Sequence, residues 1–126
     1  MSKKQAFLIV AILTVGIGGY LFAVGPSGPS DGRLDAFAKC LAEKGAIMYG
    51  ADWCPHCQRE KRNFGTSFQY VPYVECPDDP DRCATAGVNG YPTWIYPDGR
   101  RYEGEQGLQR IAEQSRCPLT VTGESS

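Results

Sequence analysis

Cys54 and Cys57 are separated by two residues and are the side chains of this sequence best suited to chemistry. They lie between a short apolar run and a helical pattern, which predicts that Cys54 begins a helix. A helix N-terminus stabilises a thiolate through its dipole and its free N–H groups. Cys57 falls one turn later, within reach to form or resolve a disulfide, and His56 adds a group that can be cationic. The pattern predicts a redox-active dithiol with Cys54 as the nucleophile.

A structural disulfide and a metal site are the two alternatives for this cysteine pair. Structural zinc takes four ligands, often from a second Cys-x-x-Cys pair or from two histidines. The sequence contains one histidine and no second Cys-x-x-Cys pair. We therefore expect neither a metal nor a bound cofactor.

Four further cysteines, Cys40, Cys76, Cys83 and Cys117, allow three pairings. Cys76 and Cys83 flank a short acidic loop, so short-range closure favours a bond between them and leaves Cys40 to pair with Cys117. Each such disulfide would stabilise a small core by about 2–4 kcal/mol. The alternative is that one of these pairs is a second redox centre that relays electrons.

An uncharged apolar segment runs from residue 6 to residue 24 and follows Lys3 and Lys4. About 20 apolar residues cross a bilayer, whereas the apolar core of a cleavable signal has about 7–15. We expect residues 1–25 to be an uncleaved, single-pass transmembrane anchor rather than a signal peptide or a buried soluble helix. The lysine pair places the N-terminus in the cytoplasm and the rest of the chain outside it.

Composition agrees with an exported domain. Six cysteines in 126 residues fit an oxidising compartment better than the cytosol, and a net charge of −1 gives no indication of a nucleic-acid partner. Residues 26–32 are a linker rich in Gly, Pro and Ser, residues 33–117 are the globular domain, and residues 118–126 are a flexible tail. A core this small commonly needs disulfides.

Apolar periodicity and turn signals predict the elements that position the cysteines. They are a helix with Asp31 as N-cap and Gly45 as its stop, a strand at 46–50, a helix from Cys54 to Phe64, a strand at 70–75, a short helix at 80–86, a hairpin of strands 93–96 and 100–103, and a last helix at 105–115. The order α, β, α, β, α, β, β, α predicts an α/β domain.

A Trp-Cys-x-x-Cys segment after a strand and a later Gly-x-Pro-Thr segment resemble the thioredoxin superfamily over residues 33–117. The resemblance implies a thioredoxin-like fold with a central mixed four-stranded sheet flanked by helices. It also implies a cis peptide bond before Pro92 and a loop, beside the cysteines, in which Tyr91 offers backbone hydrogen bonds to substrate. Trp53 would line the same surface, or would simply cover the small core.

A closer resemblance is to the thioredoxin-like domain fused to, or paired with, bacterial and plant homologues of vitamin K epoxide reductase. The segments that carry it are Phe37-Ala38-Lys39-Cys40-Leu41, Met48-Tyr49-Gly50, Trp53-Cys54-Pro55-His56-Cys57-Gln58, Tyr73-Val74-Glu75-Cys76 and Gly90-Tyr91-Pro92-Thr93-Trp94. The resemblance implies a separate, singly anchored version without the multi-helix quinone-reducing domain. Such a protein would oxidise thiols of exported proteins in the periplasm or thylakoid lumen and pass electrons to a membrane protein of that kind.

One departure from the superfamily concerns proton transfer. Ordinary thioredoxins have a buried Asp six residues before the first redox cysteine, and this Asp acts in proton transfer to the second cysteine. Met48 occupies that position here, and no replacement base is evident. The dipeptide Pro55-His56, which is similar to that of the DsbA family of periplasmic oxidants, points to an oxidising couple. A reductase or isomerase on the same fold, and a redox-silent, disulfide-stapled binding module, are the alternative functions.

Overall fold

The computed structural model describes residues 32–120. The helices are α1 (Asp35–Glu43), α2 (Pro55–Phe64), α3 (Pro80–Thr85) and α4 (Gly107–Ser115), a 3-10 helix occupies Gly65–Tyr70, and the strands are β1 (Ile47–Gly50), β2 (Tyr73–Glu75), β3 (Thr93–Ile95) and β4 (Arg101–Glu103). None of these helices is long and apolar enough to cross a membrane. The predicted membrane span at residues 6–24 lies outside the described residues.

The strands form a mixed sheet in the order β2-β1-β3-β4. β1 pairs parallel with β2, and the connection through α2 and the 3-10 helix supplies the long crossover that a parallel pair needs. β3 runs antiparallel to β1 and forms a hairpin with β4. The predicted four-stranded mixed sheet with flanking helices is confirmed.

The start of the first helix differs from the prediction. α1 begins at Asp35 with Leu34 in the N-cap position, which is later in the chain than the predicted N-cap, Asp31. The backbone N–H of Asp35 donates to the carbonyl of Gly32, so a turn precedes the helix. Gly45 follows α1 with a φ of 73°, as expected of a glycine that stops a helix.

The second strand is also shorter than predicted. Residues 65–70 form a 3-10 helix, and β2 begins only at Tyr73. The ring of Phe68 makes edge contacts with the rings of Phe64 and Tyr73. This aromatic packing holds the segment against the core and explains why it is not extended.

Apolar side chains pack on both faces of the sheet. The larger cluster includes Phe37, Met48, Trp94 and Ile111 and also contains the Cys54 and Cys57 side chains. A smaller cluster contains Tyr49, Val74, Cys76 and Cys83. Because β1 contributes to both clusters, it is a buried central strand. Its C-terminal end leads into the cysteine pair.

Two disulfides fasten separate elements of the domain to one another. Cys40 on α1 is bonded to Cys117, which follows α4, at a sequence separation of 77. Cys76, which follows β2, is bonded to Cys83 on α3. The first bond fastens the beginning of the domain to its end, and the second fastens α3 to the sheet.

Candidate redox site

The cysteine pair lies where β1 gives way to α2. Cys54 is the N-cap residue of α2 and has an extended backbone, and Pro55 is in the first helical turn, where its missing N–H leaves no hydrogen bond unmade. The turn before the helix is fixed by the N–H of Cys54, which donates to the Ala51 carbonyl at 3.0 Å. The predicted placement of Cys54 at a helix N-terminus agrees with the structure.

The two thiols differ in their access to solvent. Both are free, but Cys54 keeps 7% of its surface exposed whereas Cys57 keeps none. The sequence predicts a more exposed Cys54 than this, because it does not reveal that the Tyr91 loop closes over the thiol. Of the two sulfur atoms, Cys54 Sγ is therefore the one that a second protein can reach.

The surroundings of Cys54 favour its thiolate. Burial opposes ionisation, but the backbone N–H and the thiol of Cys57, the backbone N–H of His56 and the positive charge of Arg59 together outweigh it and lower the pKa of Cys54. The two N–H groups belong to the first turn of α2, whose hydrogen-bonding capacity is free for an anion. Cys54 is thus the better nucleophile of the two thiols.

The surroundings of Cys57 have the opposite effect. Burial raises the pKa of Cys57 to about 11, and the neighbouring Cys54 adds to the rise. The backbone at Ala51 and the charge of Lys61 oppose it. The thiol therefore stays protonated at neutral pH unless another group takes its proton.

Gly50, at the end of β1, allows Cys57 to approach the strand closely. A methyl group at residue 50 would lie 2.8 Å from Cys57 Sγ, which is closer than side-chain carbons and sulfur normally pack. It would also lie 3.3 Å from the hydroxyl oxygen of Tyr73. Both polar atoms thus border the space that a side chain at residue 50 would fill.

The loop that precedes β3 completes the surface around Cys54. The peptide bond between Tyr91 and Pro92 is cis. The Cys54 thiol donates to the Tyr91 carbonyl oxygen at an S···O distance of 3.7 Å. Trp53, which is 68% exposed, meets the Tyr91 ring edge-on at 6.0 Å between centroids. The structure thus brings Trp53, Tyr91 and Pro92 together beside Cys54.

The His56 ring faces Arg59 and Glu105. Its Nδ1 atom lies 2.6 Å from Nη2 of Arg59 and 3.4 Å from Oε2 of Glu105, which also accepts from Nε of Arg59 at 2.9 Å. The His56 side chain is 59% exposed. Among the groups that lower the pKa of Cys54, His56 contributes its backbone N–H, and the side-chain charge comes from Arg59. Arg59 follows His56 by one helical turn, a spacing that would have revealed it in the sequence.

Glu60 is a fully buried carboxylate that sequence reasoning missed. Its oxygens accept the backbone N–H groups of Gln106 at 2.6 Å and Gly107 at 2.9 Å. A carboxylate in this position caps the start of α4, where the helix dipole favours negative charge. Glu60 therefore ties the redox helix α2 to the beginning of α4, and no pattern in the sequence connects these distant residues.

A second missed group is a polar cluster beside Cys57, which we call the β2 cluster: Asp52, Lys61, Tyr73 and Glu75. The Tyr73 hydroxyl donates to Oε2 of Glu75, and Lys61 bonds to Asp52. The ammonium of Lys61 lies 3.9 Å from the centroid of the Tyr73 ring. Met48 is fully buried and provides no acid or base.

Other features of the described residues lie apart from this site. No group of three or more His, Cys, Asp and Glu side chains within residues 32–120 is arranged to hold a metal ion. A cavity of about 460 Å³ is lined by Lys44, Tyr96, Pro97, Asp98, Arg100, Ser115 and Arg116. Because these residues include the turn between β3 and β4, this cavity lies at the opposite end of the sheet from Cys54.

The dithiol lies at the N-terminus of α2, beside a cis-proline loop. The mixed sheet has the order β2-β1-β3-β4, and these features together define the fold. The domain has a thioredoxin-like fold. The sequence is 39% identical over 100 residues to "Thiol-disulfide oxidoreductase LTO1" of Arabidopsis thaliana, a match that covers 72% of this chain. The chain is thus a homologue of a thiol–disulfide oxidoreductase, and the match spans 26% of that relative's length.

Two solved structures align with the chain at low sequence identity. Fasciola hepatica thioredoxin is 20% identical with a TM-score of 0.45, over 65% of this chain and 91% of the other. The first thioredoxin domain of mouse protein disulfide-isomerase A4 is 19% identical with a TM-score of 0.42, over 81% and 96%. No protein-family profile matches the chain.

Proposed function

We propose that this protein is a thiol–disulfide oxidoreductase that works through Cys54 and Cys57. The observation that carries the proposal is that the free Cys54 thiol lies at the N-terminus of α2, 3.7 Å from the Tyr91 carbonyl oxygen in the cis-proline loop, while the free Cys57 thiol is fully buried one turn later. The pKa values shift in agreement with this arrangement, down for Cys54 and up, to about 11, for Cys57. The oxidised protein would be attacked at Cys54 by a substrate thiolate, which breaks the Cys54–Cys57 bond and forms a mixed disulfide. A second substrate thiolate then displaces Cys54, so the substrate leaves oxidised and the dithiol is reduced.

Oxidation is the direction that the site favours over reduction or isomerisation. Groups that stabilise the Cys54 thiolate stabilise the reduced dithiol and so raise its reduction potential. The backbone N–H groups of His56 and Cys57 and the charge of Arg59 act in this sense. The fully buried Met48, in place of the usual acid, gives no help to the reductive reaction. A disulfide reductase or isomerase is the second candidate.

Exported proteins are the substrate class that we propose. The two disulfides away from the redox pair, Cys40–Cys117 and Cys76–Cys83, are of a kind that persists in oxidising compartments. The exposed Trp53 beside the half-buried Tyr91 offers an apolar surface next to Cys54 on which an extended substrate segment could lie. The backbone of the Tyr91 loop would pair with that segment.

A membrane partner would reoxidise the dithiol. We propose a quinone reductase similar to vitamin K epoxide reductase, on the strength of the sequence segments that resemble the thioredoxin-like domains paired with such enzymes. Residues 6–24 would anchor the protein in the same membrane, with the redox domain in the periplasm or thylakoid lumen. N-terminal sequencing of the native protein tests the anchor, because a chain that begins near Pro26 would be a secreted domain.

Trapping experiments test the proposed activity. In Cys57→Ser, the mixed disulfide on Cys54 cannot be resolved internally, so we expect adducts with substrate proteins to accumulate, whereas Cys54→Ser should give none. Accumulation in Cys54→Ser instead would reverse the assignment. A redox-silent module would give adducts in neither variant, and its Cys54 would stay protected from alkylation under mild reductant. The measured reduction potential then separates an oxidant from a reductase.

A further inference from the structure

The proposed function does not explain how the Cys57 thiol loses its proton. In any reaction in which Cys57 attacks a mixed disulfide on Cys54, its thiol must first lose a proton, yet it has no exposed surface. Burial raises its pKa to about 11, so the thiolate is scarce at neutral pH. Met48 occupies the position at which ordinary thioredoxins have a proton-transferring Asp, and its thioether has no proton to exchange.

The Tyr73 hydroxyl is the polar side-chain group that borders the same space. A methyl group at residue 50 would lie 2.8 Å from Cys57 Sγ and 3.3 Å from the Tyr73 hydroxyl oxygen. Tyr73 pairs with Met48 in the register of β1 and β2, and Glu75 pairs with Gly50. Tyr73 and Glu75 are two residues apart on one strand and so share the face toward Cys57.

The hydroxyl of Tyr73 is already connected to a proton acceptor. It donates to Oε2 of Glu75, whose Oε1 accepts the backbone N–H of Asp52 at 3.0 Å. Burial, the charge of Glu75 and the nearby Asp52 and Cys57 raise the pKa of Tyr73, so the phenol keeps its proton and stays a donor. Glu75 is half-buried at the surface of the domain.

The charged groups near Tyr73 and Glu75 come from the neighbouring elements. Lys61 of α2 lies over the Tyr73 ring and bonds to Asp52 in the turn before α2. Its positive charge acts on Cys57 in the direction that lowers the pKa of that thiol. Cys54 acts in the opposite direction. Because the pKa of Cys57 remains raised, a specific proton acceptor would speed the formation of its thiolate.

We propose that Tyr73 and Glu75 form a proton relay for Cys57, replacing the acid that Met48 displaces. The Cys57 thiol passes its proton to the Tyr73 oxygen while the Tyr73 proton moves to Glu75. The Cys57 thiolate then attacks Cys54 Sγ, the bond between Cys54 and the bound thiol breaks, and that thiol leaves as a thiolate. The Cys54–Cys57 disulfide has formed, and Glu75 returns its proton to solvent. The inference rests on the proposed function, since it needs Cys54 to form the mixed disulfide.

A two-step chromogenic reaction separates the relay from the proposed function. The full-length chain in detergent, reduced mildly at Cys54–Cys57, is mixed with 5,5′-dithiobis(2-nitrobenzoate). Attack by Cys54 releases one coloured thiolate, and attack by Cys57 on the adduct releases a second. The first phase reports on Cys54 and the second on Cys57. Stopped-flow traces are recorded from about pH 6.5 to about pH 10.5, which is about two units either side of the ordinary thiol pKa.

Tyr73→Phe removes the hydroxyl and keeps the ring. At neutral pH we expect the second phase to slow by about tenfold or more, the lower range of general acid–base effects, and the first phase to stay within about twofold. The second-phase rate should recover as the pH rises, because hydroxide then replaces the relay. Glu75→Gln, which keeps an oxygen for Tyr73 but cannot take up a proton, should behave in the same way. Tyr49→Phe is the matched control, since Tyr49 packs in the cluster that contains Cys76 and Cys83.

The outcomes are distinguishable. An unchanged second phase in Tyr73→Phe, or a slowing that is equal at every pH, would overturn the relay and leave Tyr73 a packing residue. A wild-type first phase no faster than that of an unactivated thiol would instead contradict the proposed function. Equal slowing in Tyr49→Phe would mean that the loss comes from the fold, and would likewise overturn the relay.

Discussion

Nη2 of Arg59 lies 2.6 Å from Nδ1 of His56, one turn apart on α2. A guanidinium can only donate, so Nδ1 is the acceptor in this contact. The charge that lowers the pKa of Cys54 therefore comes from Arg59, and the His56 ring helps to hold Arg59 in place.

This relationship predicts how the reduction potential is tuned. Arg59→Gln should raise the pKa of Cys54 and lower the potential, by less than about 30 mV because the guanidinium is partly exposed. His56→Ala should lower the potential as well. If His56 acts by orienting Arg59, the double variant will match Arg59→Gln, whereas independent charges would give additive shifts. Equilibration with glutathione buffers measures all four proteins, and equal potentials for wild type and His56→Ala would remove His56 from the tuning.

The two thiols should respond differently to pH. In Cys57→Ser, alkylation of Cys54 should reach its plateau below the usual range of thiols, because the α2 N–H groups and Arg59 lower the pKa of Cys54. In Cys54→Ser, alkylation of Cys57 should still be rising at pH 10, because burial raises the pKa of Cys57 to about 11. Iodoacetamide rates across pH measure both, and a plateau for Cys57 near neutral pH would contradict the asymmetry on which the proposed function depends.

Removal of the Glu60 carboxylate should destabilise the domain. Glu60→Ala leaves the N–H groups of Gln106 and Gly107 without their buried acceptor, so we expect a loss of about 1–3 kcal/mol in the free energy of unfolding. Glu113→Ala, on the exposed side of α4, is the control and should change stability by less than about 0.5 kcal/mol. Urea unfolding measures both, and a neutral Glu60→Ala would mean that water replaces the carboxylate.

The pH dependence of the Glu60 contribution has a definite sign. Burial raises the pKa of Glu60 in the folded protein, although the two N–H groups oppose the rise. The folded state therefore binds this proton more tightly than the unfolded state, and the resulting stability is lost as the pH rises through the folded pKa. The stability advantage of wild type over Glu60→Gln should accordingly shrink between acid and neutral pH. An advantage that grows over the same interval would show that the carboxylate is favoured by its surroundings.

The two disulfides should contribute unequally to stability. Loop-closure entropy predicts about 4.5 kcal/mol for Cys40–Cys117, which closes 77 residues, and about 2.4 kcal/mol for Cys76–Cys83, which closes 7. Replacing each pair by serines and comparing urea unfolding of the two variants checks the order. A larger loss from the Cys76–Cys83 variant would mean that local fastening of α3 dominates over chain entropy.

The redox centre and most elements were predictable because their signals are local. A Cys-x-x-Cys after an apolar strand, a proline suited to the first helical turn and a Pro-Asp-Gly turn each act within a few residues, and α2 and the β3–β4 hairpin lie where these signals place them. The short spacing of Cys76 and Cys83 likewise favours the pairing that the structure contains.

The features that sequence reasoning missed depend on contacts between distant segments. Glu60 reads as one more charged helix residue, and its burial follows only from the approach of α4, 46 residues later. The strand predicted at 70–75 begins only at Tyr73, because residues 65–70 form a 3-10 helix in which Phe68 packs between two other rings. The β2 cluster brings Asp52 and Lys61 together with Tyr73 and Glu75 of a separate strand, and Gly50 leaves the space that Tyr73 and Cys57 border.

The unequal surroundings of the two tryptophans give the protein an optical signal of its own redox state. Trp94 is fully buried in the core, whereas Trp53 is 68% exposed and is bonded directly to Cys54. A buried indole emits at shorter wavelength than a hydrated one, so the two emissions are separable. Because a disulfide quenches the fluorescence of an adjacent indole, closing Cys54–Cys57 should dim the red-shifted component that comes from Trp53. The intensity of that component would follow electron transfer in real time without any label.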